Sequence, residues 1–372
     1  MAKVEAMLRA AEPHRGILAT QLDADPLLFN VANGTLEFGA EPDIRLRPHR
    51  REDLITHLSP AMFDPEAGCP RFRAFLDRVQ PDPANQRFLQ TWAGYCLSGL
   101  ADEQVMLIHY GLGANGKSTF LGTLAYVMGT YAATVPIETF VEHRFGRGAG
   151  DATPDIARLP GKRLVIASEP ERQARIAESL IKVATGGGNM TARHLYQRQF
   201  EFKPVFKLNI DANTRPTVRG QDEGIWRRVI LLNWSVIIPP EERDRGLPLM
   251  FRQEASGILN WSLDGWRLYK ESGLYLPDTI IEAIQDYRTD SDPVRQFVAA
   301  RLRKSQSTRV SASRVLAAYQ EWCRENALEP ISGNAFGRRL TEVGIRREVM
   351  HITYYVDWDL VDTKKDGESN VE

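Results

Sequence analysis

The spacing of apolar residues changes character near residue 100. Before that point, prolines at 26, 42, 48, 60, 65, 70, 81 and 83 cut the chain into short pieces. Two stretches keep a helical period: Pro70–Val79 places Phe72, Phe75, Leu76 and Val79 on one face, and Gln86–Leu100 carries Phe88, Leu89, Trp92, Tyr95 and Cys96. Beyond residue 100, short apolar runs alternate with helical segments. Gln104–Tyr110, Arg163–Ser168, Val205–Asp211 and Val229–Asn233 have the length and make-up of buried strands, while Ser118–Met128, ended by Gly129, and Leu249–Glu271 read as helices. This alternation predicts an α/β core. After a turn at Asp290–Asp292, Ala312–Asn326 and Asn334–Val343 read as helices and Arg346–Trp358 as a strand pair, the order of a small winged helix-turn-helix. The expected organisation is a leading, mostly helical module over 1–98, the core over 99–238, a helical extension over 239–303, a winged helix over 304–362 and a polar, disordered tail over 363–372.

Composition narrows this only slightly. Of 372 residues, 43% are hydrophobic and 26% charged, as in an ordinary soluble globular protein. Apolar runs stay well short of the ~20 residues of a membrane span. The opening Met1–Ala6 lacks the features of a secretory signal. Cys69, Cys96 and Cys323 are widely separated and suit neither a disulfide framework nor a zinc site, so a reducing cytoplasm is expected. A net charge of −1 leaves nucleic acid open, because a basic channel can hide in a neutral total.

The sharpest chemistry is Gly111-Leu112-Gly113-Ala114-Asn115-Gly116-Lys117-Ser118, which matches G-x-x-x-x-G-K-[ST] between a strand and a helix. Glycines let successive N–H groups turn toward phosphate oxygens, and the following helix adds its positive end. Lys117 is expected at the β- and γ-phosphates and the Ser118 hydroxyl on Mg²⁺, with Thr119 completing the ATP-binding set. A second strand should end in an acid for the magnesium and water site; Leu164–Ser168 runs into Glu169, with Glu171 a weaker choice. A third strand leads to Asn213, which could sense the γ-phosphate or be an ordinary turn residue before Thr214-Arg215-Pro216. Arg227-Arg228 before an apolar strand suits either a solvated strand start or an arginine finger.

Several segments then agree in order. ARLPGKRLVIASE (157–169), KVATGGGNMTARHLY (182–196), FEFKPVFKLNIDANTRP (200–216) and DEGIWRRV (222–229) resemble the superfamily 3 helicases, in particular the helicase half of phage and plasmid primase-helicases of the satellite-phage type and their poxvirus relative. LLFNVANGTLEF (27–38), FDPEAGCPRFRAFL (63–76), LQTWAGYCLSGL (89–100) and EASGILNWSLDGW (254–266) extend the likeness over about residues 27–300. The resemblance implies an AAA+-like P-loop core that hydrolyses ATP with Mg²⁺. In it Lys117 and Ser118 form the first motif, Glu169 the second, Asn213 is the sensor, and Arg228, with Arg227 next in line, is the finger. It implies a homo-hexameric ring with ATP between subunits, acting on single-stranded or forked DNA in a bacterial or phage setting. The segment between Glu169 and Asn213 corresponds to a pore hairpin, with Arg193-His194 at its tip and Arg198 further along.

The residues agree with this. Residues 193–228 hold eight Lys/Arg against four Asp/Glu, a local excess in an otherwise neutral chain. Tyr196, Phe200 and Phe202 interleave with the basic residues, though their pattern fits core packing better than base stacking. Paired-carboxylate primase motifs and zinc clusters are not visible, so priming is expected from a separate protein. Two rival readings remain: a nucleotide-dependent DNA-loading or initiator platform, and a monomeric P-loop kinase or ATPase. DNA-stimulated turnover separates both from a motor.

Overall fold

The computed structural model describes Met7 and residues 16–361, apart from 40–43, 143–150, 169–174, 219, 221 and 327. Glu169 and the tail over 363–372 lie outside the described residues. The chain divides into two units, Met1–Ile284 and Gln285–Glu372. No helix among the described residues is long and apolar enough to cross a membrane.

The first unit opens with β1 (Leu28–Val31), β2 (Gly34–Phe38) and β3 (Ile44–Arg47), an antiparallel sheet in the order β1-β2-β3. This sheet was not expected in the leading module, whose longer elements are the two helices that follow. Phe29 and Val31 on β1 and Leu36 and Phe38 on β2 are buried at period two, a pattern short enough to be hidden among the prolines. Helices α1 (Pro70–Val79) and α2 (Pro83–Leu97) follow, each with proline in its first turn, where the missing N–H costs nothing.

The core then runs β4 (Met106–Tyr110), α3 (Lys117–Met128), β5 (Ala132–Pro136), the short α4 (Pro154–Ala157), β6 (Leu164–Ser168), α5 (Glu178–Thr185), a hairpin of β7 (Met190–Arg193) and β8 (Gln199–Phe202), β9 (Lys207–Ala212), the short α6 (Glu223–Trp226) and β10 (Val229–Asn233). Its five-stranded sheet has the order β10-β4-β9-β6-β5, with every neighbouring pair parallel. The loops after β4, β9 and β10 therefore leave from one edge, and the residues before these strands lie at the other. β5 escapes a reading by apolar runs because it is a short edge strand ending in proline, which an edge tolerates.

Two helices, α7 (Leu247–Gln253) and α8 (Ala255–Ser272), stand where one was expected. The break is at Glu254, whose carboxylate accepts from the backbone N–H groups of Arg71 (3.1 Å) and Phe72 (3.0 Å) and so caps α1. α8 crosses α2 in glycine contact. A Cβ on Gly94 would lie 2.0 Å from the Trp266 nitrogen, and one on Gly265 1.8 Å from the Gln90 carbonyl oxygen. At the far edge of the sheet, the buried Arg163 donates to the carbonyls of Leu97 and Leu28 and sits 4.8 Å over the Tyr131 ring. Buried Lys207 donates to the Ser98 carbonyl and lies 4.6 Å over Tyr95. Both cations meet the carbonyl end of α2, where helix polarity favours positive charge. Burial nevertheless lowers both pKa values, Lys207 to about 7.

Helix α9 (Asp278–Asp290) contains the point of division between the units. The second unit comprises α10 (Pro293–Arg301), β11 (Leu302–Ser311), α11 (Ala312–Glu325), α12 (Gly333–Glu342), β12 (Arg347–Val349) and β13 (Thr353–Leu360), its strands ordered β11-β13-β12. The expected boundary at 303/304 moves, because Val294 and Phe297 of α10 are buried in one cluster with Tyr319, Trp322, Phe336 and Leu340. Buried Asp292 caps α10 through Val294 N–H (2.9 Å) and accepts from Arg339 at 2.6 Å, while Arg338 is exposed.

The α2–α8 contact is testable. Gly265→Ala should destabilise by about 1–3 kcal/mol, since rigid backbone faces the new methyl. Gly122→Ala inside α3, where a Cβ meets nothing within 4 Å, should be neutral or stabilise by up to about 1 kcal/mol. Chemical denaturation of the two variants checks this; equal midpoints would mean the helices separate without cost.

Candidate functional site

The site forms where β4 ends. Gly113 (φ +98°) and Gly116 (φ +87°) turn the chain through the left-handed region, with Ala114 (φ +50°) between them. At Gly116 a Cβ would also press on Val79 at 2.8 Å, so glycine is required both for conformation and for space. The loop is held from outside: Ile238 N–H donates to the Ala114 carbonyl (2.8 Å), and Asn115 Nδ2 to the Trp234 carbonyl (3.2 Å). Leu112 is exposed on the loop.

α3 begins at Lys117, which is 2% exposed. Its Nζ donates to the Gly111 carbonyl (2.7 Å), Asn115 Oδ1 (3.2 Å) and Asn213 Oδ1 (3.2 Å), an acceptor for each ammonium N–H. Burial draws the Lys117 pKa down, opposed by the Asp211 charge 3.8 Å away. Asn213 thus reaches the same ammonium as the loop, because β9 pairs directly with β4 and Gly111 N–H bonds the Ala212 carbonyl. Thr119 is half-buried on the first turn of α3, and Ser118 is exposed.

Asp211 is the residue that sequence reading passed over. Its Oδ2 accepts from the Ser118 hydroxyl at 2.6 Å. The signal was present: from Leu208 on, Asn209, Asp211 and Asn213 recur at period two between apolar Leu208, Ile210 and Ala212. β6 ends at Ser168, in register with Asp211, and the expected acid Glu169 lies outside the described residues.

Beneath the loop runs a buried polar chain. Trp92 Nε1 donates to Asn209 Oδ1 (2.9 Å), and the same oxygen is 3.1 Å from His109 Nε2. Trp234 Nε1 donates to His109 Nδ1 (3.2 Å). Since an indole only donates, Nδ1 must accept and Nε2 must carry the proton. A second proton would set Nδ1–H against the indole N–H. Burial lowers the His109 pKa to about 4, and its imidazole is neutral at pH 7.

The arginine pair separates. Arg228 is buried; it donates to the Gly224 carbonyl and to Gln104 Oε1, and its own carbonyl accepts from Met106 at the start of β4. Arg227 is exposed. Of the expected pair, then, the Arg228 guanidinium is engaged within its own chain and Arg227 is the one open to solvent. Both sit at the sheet edge opposite the glycine loop.

The hairpin also differs from expectation. Arg193 ends β7 opposite Gln199, and its backbone is bonded in both directions to Thr153, so it lies at the base of the turn. The tip is Leu195, 62% exposed, and the fully exposed Tyr196 at φ +61°. Core packing therefore fails for Tyr196, while Phe200 and Phe202 are half-buried and touch each other. Exposed His194 stacks on Phe200 at 5.6 Å, and Arg198 is exposed on the same turn.

Comparison with known proteins agrees with the resemblance drawn from the motifs. Residues 1–81 match the family model "D5 N terminal like" and residues 289–354 the model "Poxvirus D5 protein-like". The "Putative helicase L207/L206" of Acanthamoeba polyphaga mimivirus is 30% identical over 272 residues, covering 68% of this chain and 28% of that protein. This chain is a D5-like relative of viral helicases and primases. The D5-like sequence is also 27% identical to the "Putative helicase 022R" of Frog virus 3 (68% of this chain, 28% of that protein). A "Putative primase" of African swine fever virus is 27% identical as well (82% and 34%). The chain thus spans about a third or less of the length of these viral proteins. In fold, it aligns with the apo A form of the NrS-1 C-terminal region at TM-score 0.50 and 10% identity, over 89% of this chain and 95% of that one.

The buried histidine of the D5-like core gives a pH signature. Its folded pKa of about 4 lies below the ordinary 6.5, so stability is fully present above pH 6.5 and is lost as pH falls toward 4. The loss assigned to His109 by pH 4.5 is roughly 2–3 kcal/mol. His109→Gln keeps one donor and one acceptor but cannot titrate. Urea unfolding at pH 7 and 4.5 should show that excess acid lability in wild type only; identical pH dependence in both would overturn the assignment.

Proposed function

We propose that this D5-like chain is the motor of an ATP-dependent DNA helicase of the superfamily 3 kind, with an AAA+-like core, working as a ring. The observation that carries the reading is the Lys117 cage. A cation held at the mouth of a glycine turn, at the N-terminus of α3 and beside Asn213, is arranged for the β,γ-phosphates of a nucleoside triphosphate. Arriving phosphate oxygens would replace the Gly111 carbonyl as acceptors, while Asn213 stays close enough to hold an attacking water. The exposed Ser118 hydroxyl is a hard donor that fits Mg²⁺, which would neutralise developing phosphate charge. The neutral His109 layer keeps uncompensated positive charge out of the floor.

A ring is supported by the arginine pair. Since Arg227 is exposed at the edge remote from its own loop, it fits the nucleotide of a neighbouring subunit, and a hexamer is the reading we carry forward. The hairpin supports contact with single-stranded or forked DNA: an exposed tyrosine at the tip offers a stacking face, with His194 and Arg198 beside it. The strand–helix–helix–hairpin order of the second unit supports a winged helix.

ATPase assays with and without single-stranded DNA test the motor. Wild type should hydrolyse ATP and rise severalfold with DNA, and Lys117→Ala should lose at least about 10²-fold. ATP-dependent assembly on DNA without stimulated turnover would favour the loading platform, and turnover indifferent to DNA the monomeric ATPase. Arg227→Ala should retain ATP binding while hydrolysis falls by roughly 10³-fold. Arg228→Ala should act mainly on stability. Mixing Arg227→Ala with Lys117→Ala subunits should revive part of the activity; no revival at any ratio removes the case for shared sites.

A further inference from the structure

We propose that Asp211 is a positioning residue for the nucleotide-bound magnesium ion, acting through the Ser118 hydroxyl. The proposal rests on the nucleotide site described above and adds a residue that its motifs do not contain.

The argument is one of lone pairs. A serine hydroxyl has one proton and two acceptor lone pairs, and its rotor is otherwise loose. With the Ser118 proton given to Asp211 Oδ2 at 2.6 Å, the hydroxyl is held in one orientation and its lone pairs are left for a cation. A hydroxyl bonded to a carboxylate also carries more negative charge, so it is the stronger ligand. Asp211 is suited to this by its setting. Its side chain is 14% exposed, enough shielding to make its charge felt while Ser118 stays open to the site. Its other oxygen faces Lys117 Nζ at 3.8 Å, so one carboxylate spans the two groups that follow the glycine loop. Its backbone is fixed by parallel pairing with His109 on one side and Ser168 on the other, which leaves it little freedom to drift.

A purely structural Asp211 would affect nucleotide binding equally with and without metal. A positioning role predicts a separation. With a fluorescent ADP analogue as probe, affinity is measured first in EDTA and then across a magnesium series. For Asp211→Ala the EDTA affinity should stay within about twofold, while the magnesium concentration for half-maximal enhancement should rise 10- to 100-fold, the usual effect of losing an outer-shell partner. Asp211→Asn keeps an acceptor for the hydroxyl but not the charge, and should fall between wild type and alanine. Thermal unfolding of both variants checks that they fold, and Asp211→Asn carries the test if alanine does not. Unchanged magnesium dependence in the folded variants, or equal loss in EDTA and magnesium, would overturn the proposal. Wild-type protein that binds the analogue neither with nor without magnesium would instead sink the nucleotide reading itself.

Discussion

A lysine ammonium buried to 2% exposure cannot stand without acceptors, and this constraint organises the first unit. Lys117 draws its three acceptors from the glycine turn that precedes it and from the strand beside it. Those groups meet only because β9 is inserted between β4 and β6, bringing residues almost a hundred positions apart to one sheet edge. A one-residue shift of register between β4 and β9 would turn the side chains of β9 to the opposite face and leave the charge uncompensated. The site and the sheet order are therefore the same fact seen at two scales.

The layers beneath make that register costly to change. The Trp92–Asn209–His109–Trp234 chain links α2, β9, β4 and the segment after β10 through three hydrogen bonds that each join two different segments, while Asn209 Nδ2 donates to Lys207 within its own strand. A satisfied buried network specifies its arrangement more sharply than apolar contacts of equal area. At the opposite edge, Arg163 and Lys207 tie the end of α2 to the starts of β6 and β9. The leading segment is thus built into the core, with Glu254 closing the circuit by capping α1.

The groups directed outward follow another logic. Tyr196 keeps a left-handed backbone and full exposure at a hairpin tip, and Arg227 stays in solvent while its neighbour Arg228 is folded in. Both side chains are therefore open to solvent, whereas the groups around Lys117 are held by bonds within the chain. Within the second unit, Arg339 is spent on Asp292, and Arg338 is the member of that pair that remains outside.

By itself the amino-acid sequence determined what depends on near neighbours. The glycine spacing of 111–116, the apolar runs that became β4, β6, β9 and β10, and the helical faces of α1 and α3 were all legible, because a turn, a strand and an amphipathic helix are encoded within a few residues. Motif order carried the likeness to D5-like proteins for the same reason. Tertiary structure decided whatever depends on distant pairing. It brought Asp211 to Ser118 and Asn213 to Lys117, and it buried Arg228 while exposing Arg227. It turned Tyr196 outward and built a sheet from short pieces among the leading prolines. It also assigned α10 to the second core. For Asp211, Asn213 and α10 the deciding term is burial or a hydrogen bond supplied by a residue tens of positions away, which no local period encodes.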